Sequence, residues 1–295
     1  LFDFKAVLRS AKVPAIPERG KPQAMEEGVV MEETAYHGSG PGGRTVLWLN
    51  LPAGAHKAKS LPCVLVAPAG STMFQGMKLS EGDRDEQVPY VKEGFACMGF
   101  SLDGDMSDMK GTIGDVQTTF QQFVDSGGGV VNLRNAIEFL LAKVPEVDPA
   151  RLYLCGHSSS ATFALYACTV EPRIKAVCAY SPACDPLAFQ NHTLTFKFLE
   201  GKVDNVDTFL SQVAPLNYVD RIHVPTLLFY AENENPHLTG YCHQMAEELK
   251  PELQTFQLTT SNTRDHYKSM IEYGIPAGIT FLKEKVHAFD AKPGK

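Results

Sequence analysis

In this 295-residue chain, the stretch Arg151-Leu152-Tyr153-Leu154-Cys155-Gly156-His157-Ser158-Ser159-Ser160-Ala161 sets a serine between an apolar run and a run of small residues. Arg151 to Gly156 reads as a strand, and Ser159 to Val170 as the helix that follows. A tight strand-to-helix turn of this kind is a nucleophile elbow, which lifts a serine hydroxyl off the top of a sheet. Gly156 has no Cβ to collide with the turn, while Ser160 and Ala161 are small enough for the helix to pack close. Free N–H groups at the helix start favour negative charge beside Ser158. The pattern Gly-x-Ser-x-Gly is met except at its last position, Ser160. Gly-x-Ser alone carries little weight. It recurs at Gly99-Phe100-Ser101, followed by Leu102 and Asp103 with no small-residue helix, and that copy reads as coincidence.

A serine hydroxyl is a weak nucleophile at neutral pH and needs a base, itself oriented by a carboxylate. Of the nine histidines, His266 is placed for the base, because Asn262-Thr263-Arg264-Asp265-His266 follows the last strand and opens the final helix. His157 adjoins Ser158, but the elbow turns the two side chains apart, so His157 reads as structural. His237 and His243 read as a surface turn and a helix face. Three carboxylates compete for the orienting role. Glu232 and Glu234 share the loop Glu232-Asn233-Glu234-Asn235-Pro236, with Glu234 further out and better able to turn back; Asp185 follows the preceding strand. Charge developing on a substrate oxygen calls for two fixed N–H donors. The Ser159 amide is one. The loop Ala69-Gly70-Ser71-Thr72 offers the Ser71 amide as the other, and Met73, Phe74 and Met77 beyond it suit either an acyl pocket or the core.

The elements that must position these groups alternate as strand and helix. Residues 1–27, with Pro14, Pro17 and Pro22, read as an N-terminal arm, and residues 28–295 as one domain. Gly28 to His37 and Arg44 to Leu51 form a hairpin around a glycine-rich turn. Strands follow at Pro62 to Pro68, Phe95 to Leu102, Arg151 to Gly156, Ile174 to Ser181, Thr226 to Ala231 and Leu253 to Thr259. Helices are expected at Glu86 to Gly94, Val130 to Val144, Ser159 to Val170, His243 to Leu249 and within His266 to Val286. The expected class is α/β: a mostly parallel sheet with an antiparallel N-terminal hairpin and helices on both faces. Asp105 to Gly129 reads as a packed connection, and residues 185–220 are long enough for a small helical lid. Each follows a strand's C-terminal end, the side on which such folds bind ligands.

Composition is that of an ordinary globular protein, with 44% hydrophobic and 21% charged residues. A net charge of -7 argues against nucleic acid or anionic membrane surfaces as main partners. No apolar run approaches the roughly 18 residues of a membrane span. The seven cysteines show no C-x-x-C spacing for a metal or redox pair. Cys63, Cys97, Cys155 and Cys178 fall in apolar runs and read as small buried hydrophobes, which favours a reducing, cytoplasmic setting unless a leader or anchor precedes Leu1. No cofactor or metal is expected. Oligomeric state is not legible.

With these residues in place, the chain resembles the α/β-hydrolase superfamily, in particular the branch of dienelactone hydrolases and prolyl-oligopeptidase catalytic domains. The resemblance spans Gly28 to Val286. It rests on Glu146-Val147-Asp148-Pro149-Ala150-Arg151-Leu152 leading into the elbow, and on Ala214-Pro215-Leu216-Asn217-Tyr218-Val219-Asp220 leading into Val224-Pro225-Thr226-Leu227-Leu228. The superfamily order is serine, acid, histidine. Glu234 takes the place of the branch's triad aspartate, and Arg264-Asp265-His266-Tyr267 matches its catalytic-histidine segment. The resemblance implies a cofactor-free serine hydrolase of small-molecule carboxylic esters. The alternatives are a peptidase or acyl thioesterase on the same triad, or a non-catalytic binding protein of this fold. The chain departs from the branch in having serine where dienelactone hydrolases have cysteine, Glu for Asp, and Pro68-Ala69-Gly70-Ser71 in place of His-Gly-Gly.

Overall fold

The computed structural model describes residues 1–25, 28–71, 73–191, 193, 197, 201–249, 257–262 and 265–290. Among them nine strands form one sheet: β1 (Gln23–Ala24), β2 (Val29–Ala35), β3 (Val46–Pro52), β4 (Leu61–Val66), β5 (Ala96–Phe100), β6 (Val147–His157), β7 (Ile174–Tyr180), β8 (Thr226–Ala231) and β9 (Gln257–Ser261). Their order is β1-β2-β3-β5-β4-β6-β7-β8-β9. Pairing is antiparallel from β1 through β3 to β5, and parallel from β5 through β4 to β9. The expected architecture is the observed one.

Side-chain alternation along β6 explains how the sheet serves two layers of helix. Leu152 and Leu154 enter the core beneath α4 (Val130–Lys143) and α5 (Ser159–Ala167), together with Leu133, Ile137, Leu140 and Phe163. Tyr153 and Cys155 enter the core of the opposite face, beneath α2 (Arg84–Lys92) and the helix Ile275–Asp290. The central β4, Leu-Pro-Cys-Val-Leu-Val, is buried at every position, as a strand covered on both faces must be. Each such Leu or Val contributes about 1.5–3 kcal/mol relative to exposure.

The arm begins with α1 (Phe4–Ser10). Phe4 is buried and stacks on Tyr166 of α5 at 5.1 Å, and Arg134 donates to the carbonyls of Leu8 and Ala11. The stretch Asp105 to Gly129 differs from a plain connection, because it contains α3 (Ile113–Asp125). Its start is fixed by a capping box. Thr112 Oγ accepts from the Asp115 N–H, and the Asp115 carboxylate accepts from the Thr112 N–H. Residues 185–220 hold α6 (Pro186–Gln190), the helix Val206–Gln212 and a 3₁₀ turn Pro215–Arg221. Phe209 of this segment packs edge-on against Phe120 and Phe123 of α3. Residues 192, 194–196 and 198–200 of the same segment lie outside the described residues, as do 253–256 of the last expected strand.

Two helices are bounded differently from expectation. The one expected from His243 begins at Pro236, where a proline suits the first helical turn, having no N–H to leave unpaired. The final one is divided into His266–Ser269, a π turn Met270–Gly274 and Ile275–Asp290. Gly274 allows the π turn to lie against the sheet, since a Cβ there would stand 3.0 Å from the Phe229 ring.

Candidate active site

Ser158 occupies the turn between β6 and α5 with φ +54° and ψ −118°, a conformation costing a non-glycine residue about 1–3 kcal/mol. Its backbone is held on both sides. The Ser158 N–H donates to the Tyr180 carbonyl at 2.8 Å, and the Ser158 carbonyl accepts from the Thr162 N–H at 3.0 Å. Gly156 is obligatory here, because a Cβ would lie 2.4 Å from the Ser160 carbonyl oxygen. Ser160, the departure from glycine, has a use of its own. Its buried hydroxyl donates to the His157 carbonyl and accepts from the His157 N–H, each at 2.9 Å, lacing the helix to the strand end. Ser101 of the second Gly-x-Ser is buried and pairs with Val46 of β3 through its N–H and hydroxyl.

The histidine and one carboxylate meet. Glu234 lies beyond the end of β8, and its Oε1 contacts Nδ1 of His266, the first residue of His266–Ser269. The other carboxylate oxygen, Oε2, accepts from the Ser181 hydroxyl at 3.1 Å. The Glu234 side chain is 6% exposed and that of His266 is 36% exposed, so a nearly buried carboxylate holds an imidazole that still reaches solvent. Ser181 follows β7 and has φ +50°, a second strained serine, with its N–H donating to the Phe229 carbonyl. The other acid candidates face elsewhere. Glu232 accepts from the Thr260 hydroxyl at 2.6 Å, and Asp185 caps α6 through the Ala188 N–H. His243 packs on Tyr230, and the His237 N–H donates to Asn235 Oδ1. Thr263 and Arg264 lie outside the described residues.

The loop after β4 approaches the start of α5. The Gly70 and Ser71 N–H groups both donate to Ser159 Oγ at 3.1 Å, so two backbone donors converge one residue beyond Ser158. Gly70 has φ +96°, a left-handed backbone conformation that favours glycine. In this arrangement the Ser71 amide is engaged by the Ser159 hydroxyl. A hollow of about 10 Å³ lies alongside, lined by Ser71, Met73, Leu102, Ser159, Thr162 and Phe163 among others. Thr72 is outside the described residues. Leu102 also borders a cleft of about 720 Å³ at the end of β5, whose polar walls include Arg44, Asp105 and Gln122.

Ser181 was not singled out by sequence reasoning. The signal available for it was its position directly after a strand end, ahead of Pro182. His157 is buried, in keeping with the structural role expected of it. Its side chain points to the face opposite α5, where Nε2–H donates to the His266 carbonyl at 3.2 Å and the two rings lie 4.4 Å apart.

Solved structures share this architecture over nearly the whole chain. An acetyl xylan esterase from Paenibacillus sp. R4 superposes with a TM-score of 0.65 at 15% identity, over 95% of this chain and 91% of that one. The fold is that of the α/β-hydrolases. A provisionally assigned dienelactone hydrolase from Klebsiella pneumoniae gives a TM-score of 0.61 at 15% identity, over 87% of this chain and 99% of that one. A puromycin-hydrolyzing peptidase from Mycobacterium tuberculosis gives 0.65 at 21% identity, over 85% of this chain, which spans 40% of the peptidase. These solved structures include both representatives of the branch that the sequence resembles and an esterase. In sequence, 66 residues are 44% identical to thiohydrolase apmlB of Arthrinium phaeospermum, a match spanning 22% of this chain and 21% of that protein. No family model matches the chain. No helix among the described residues is long and apolar enough to cross a membrane.

Proposed function

We propose that this protein is a serine hydrolase of carboxylic esters working through Ser158, His266 and Glu234. The contact of Glu234 Oε1 with His266 Nδ1 carries the reading, because it leaves Nε2 as the basic nitrogen of the imidazole. Nε2 takes the proton of the Ser158 hydroxyl as Oγ attacks the acyl carbon. The carbonyl π pair moves onto oxygen, and the resulting oxyanion is held by the Ser159 and Ser71 amides, the latter exchanging the Ser159 hydroxyl for the substrate. Collapse expels the alcohol, which receives the proton from His266. Water then enters and attacks the acyl carbon as it loses a proton to Nε2, and the second collapse breaks the bond to Ser158 Oγ, which takes that proton back from Nε2 as the acid leaves. The Glu234 carboxylate stabilises the imidazolium, with the Ser181 hydroxyl donating to its second oxygen.

The small hollow beside Ser159 supports short acyl groups. The apmlB match favours a second reading, an acyl thioesterase on the same three residues. Turnover of p-nitrophenyl acetate, an acyl thioester and an aminoacyl amide by wild type and Ser158→Ala separates these readings. The proposal expects the ester to be fastest, with a loss of about 10³-fold or more in Ser158→Ala. Equal turnover by the two proteins would refute it.

A further inference from the structure

Behind His266, on the sheet face opposite α5, lies a histidine–carboxyl pair that the three-residue mechanism does not use. His157 is 3% exposed, the last residue of β6, and points under the segment that bears His266. Its Nε2–H donates to the His266 carbonyl at 3.2 Å, and its ring lies 4.4 Å from the His266 ring at a 40° tilt. With the proton on Nε2, the buried Nδ1 carries a bare lone pair, and no hydrogen-bond partner reaches it among the described residues. The atom facing it is Glu86 Oε1 of α2, 3.8 Å away and itself 6% exposed.

We propose that His157 is a positioning residue for His266, its Nε2–H anchoring the His266 carbonyl, and that Glu86, whose Oε1 stands 3.8 Å from Nδ1, sways which ring nitrogen carries the proton. The inference rests on the triad reading above. Burial pushes the Glu86 carboxyl up to about 8, with Asp83 and Asp85 adding to the effect, so it keeps its proton at neutral pH. Burial pushes His157 down to about 3, helped by His266, so the ring stays neutral. The other titratable groups facing Glu86 are Tyr90, Tyr180 and Cys155, which line the same packed pocket, and Tyr267, which senses its charge. Burial raises Tyr90, Tyr180 and Tyr267, so these hydroxyls keep their protons at neutral pH. Once Glu86 ionises, its carboxylate accepts only. The neutral imidazole then gains by moving its proton to Nδ1, and the anchor to His266 is lost.

Three variants test this, with p-nitrophenyl acetate turnover and a thermal midpoint for each. His157→Leu removes the donor and should lower kcat about 10- to 100-fold with KM moving less than about threefold, because a small displacement of His266 costs rate rather than binding. His157→Gln keeps an N–H at similar reach and should recover kcat to within about fivefold of wild type. In wild type kcat should fall above about pH 8, where Glu86 ionises, and Glu86→Gln should abolish that fall. Wild-type rates in His157→Leu, equal losses in His157→Leu and His157→Gln, or an unchanged alkaline fall in Glu86→Gln would each overturn the proposal. If His157→Leu does not fold, the His157→Gln rate and the Glu86→Gln profile decide alone. A wild type no faster than Ser158→Ala would instead refute the triad reading itself.

Discussion

Glu234 and Glu232 sit two residues apart on one loop, yet their surroundings assign them different work. Glu234 is nearly buried between the His266 imidazole and the Ser181 hydroxyl, whereas Glu232 bonds a threonine on β9. Removing the charge from Glu234 leaves the imidazole without the partner that sets its tautomer. Glu234→Gln should therefore cost about 10³- to 10⁴-fold in kcat. Glu232→Gln should stay within about threefold of wild type, as expected of a group outside the reacting set. Steady-state kinetics of the pair decides between them, and a larger loss in Glu232→Gln would reverse the assignment. Glu86 gives a separate prediction about stability. The folded protein holds its proton up to about 8, while an exposed glutamic acid releases it near 4.5. Between those values the folded state binds more protons than the unfolded one, so this group's contribution is full below 4.5 and is lost as pH rises through 8. The thermal midpoint of wild type should fall across that window, and that of Glu86→Gln should fall less.

At the scale of elements, the elbow depends on how closely α5 can approach β6. A Cβ at position 156 would stand 2.4 Å from a backbone oxygen, which cannot move without shifting the helix start. Gly156→Ala should cost at least about 1–3 kcal/mol of stability, the range for overpacking. It should also displace Ser158, so kcat should fall with stability. Ser160 works from the other side of the same junction. Ser160→Gly would restore the usual motif, yet it removes two hydrogen bonds to the His157 backbone, and denaturant unfolding should show a loss of about 1–3 kcal/mol. Agreement with a motif is not the same as stability in this chain. The elements were legible where apolar runs were continuous, as in β4, or where strand, loop and polar residue came in sequence, as from β8 into Glu234. Helix α3 was passed over because Met106, Gly111 and Gly114 obscured its start, although Thr112 and Asp115 form the capping box that begins it. The contacts that sequence reasoning did not reach join distant segments. Ser181 meets Glu234 across 53 residues of chain, and His157 meets His266 across 109, pairings that only the order of β6, β7 and β8 brings about.

For the molecule as a whole, the parallel strands β4 to β8 deliver the Gly70–Ser71 loop, Ser158, Ser181 and Glu234 to one edge of the sheet, and the segment after β9 brings His266 to the same edge. The site then reads as a property of the topology, built from loops that strand order makes neighbours. The packed surroundings of Ser159 set an expectation for acyl length. Specificity kcat/KM on p-nitrophenyl esters should drop by about tenfold or more from acetate to octanoate, since the hollow of about 10 Å³ has no room for a chain. Acylation of Ser158 is the step on which the proposed mechanism turns. Reaction with a fluorophosphonate, followed by peptide mass mapping, tests it directly. The adduct should sit on the peptide carrying Ser158, appear at least about 10²-fold more slowly in Glu234→Gln, and be absent from Ser158→Ala. An adduct on another residue, or labelling of Ser158→Ala at the wild-type rate, would rule out Ser158 as the nucleophile.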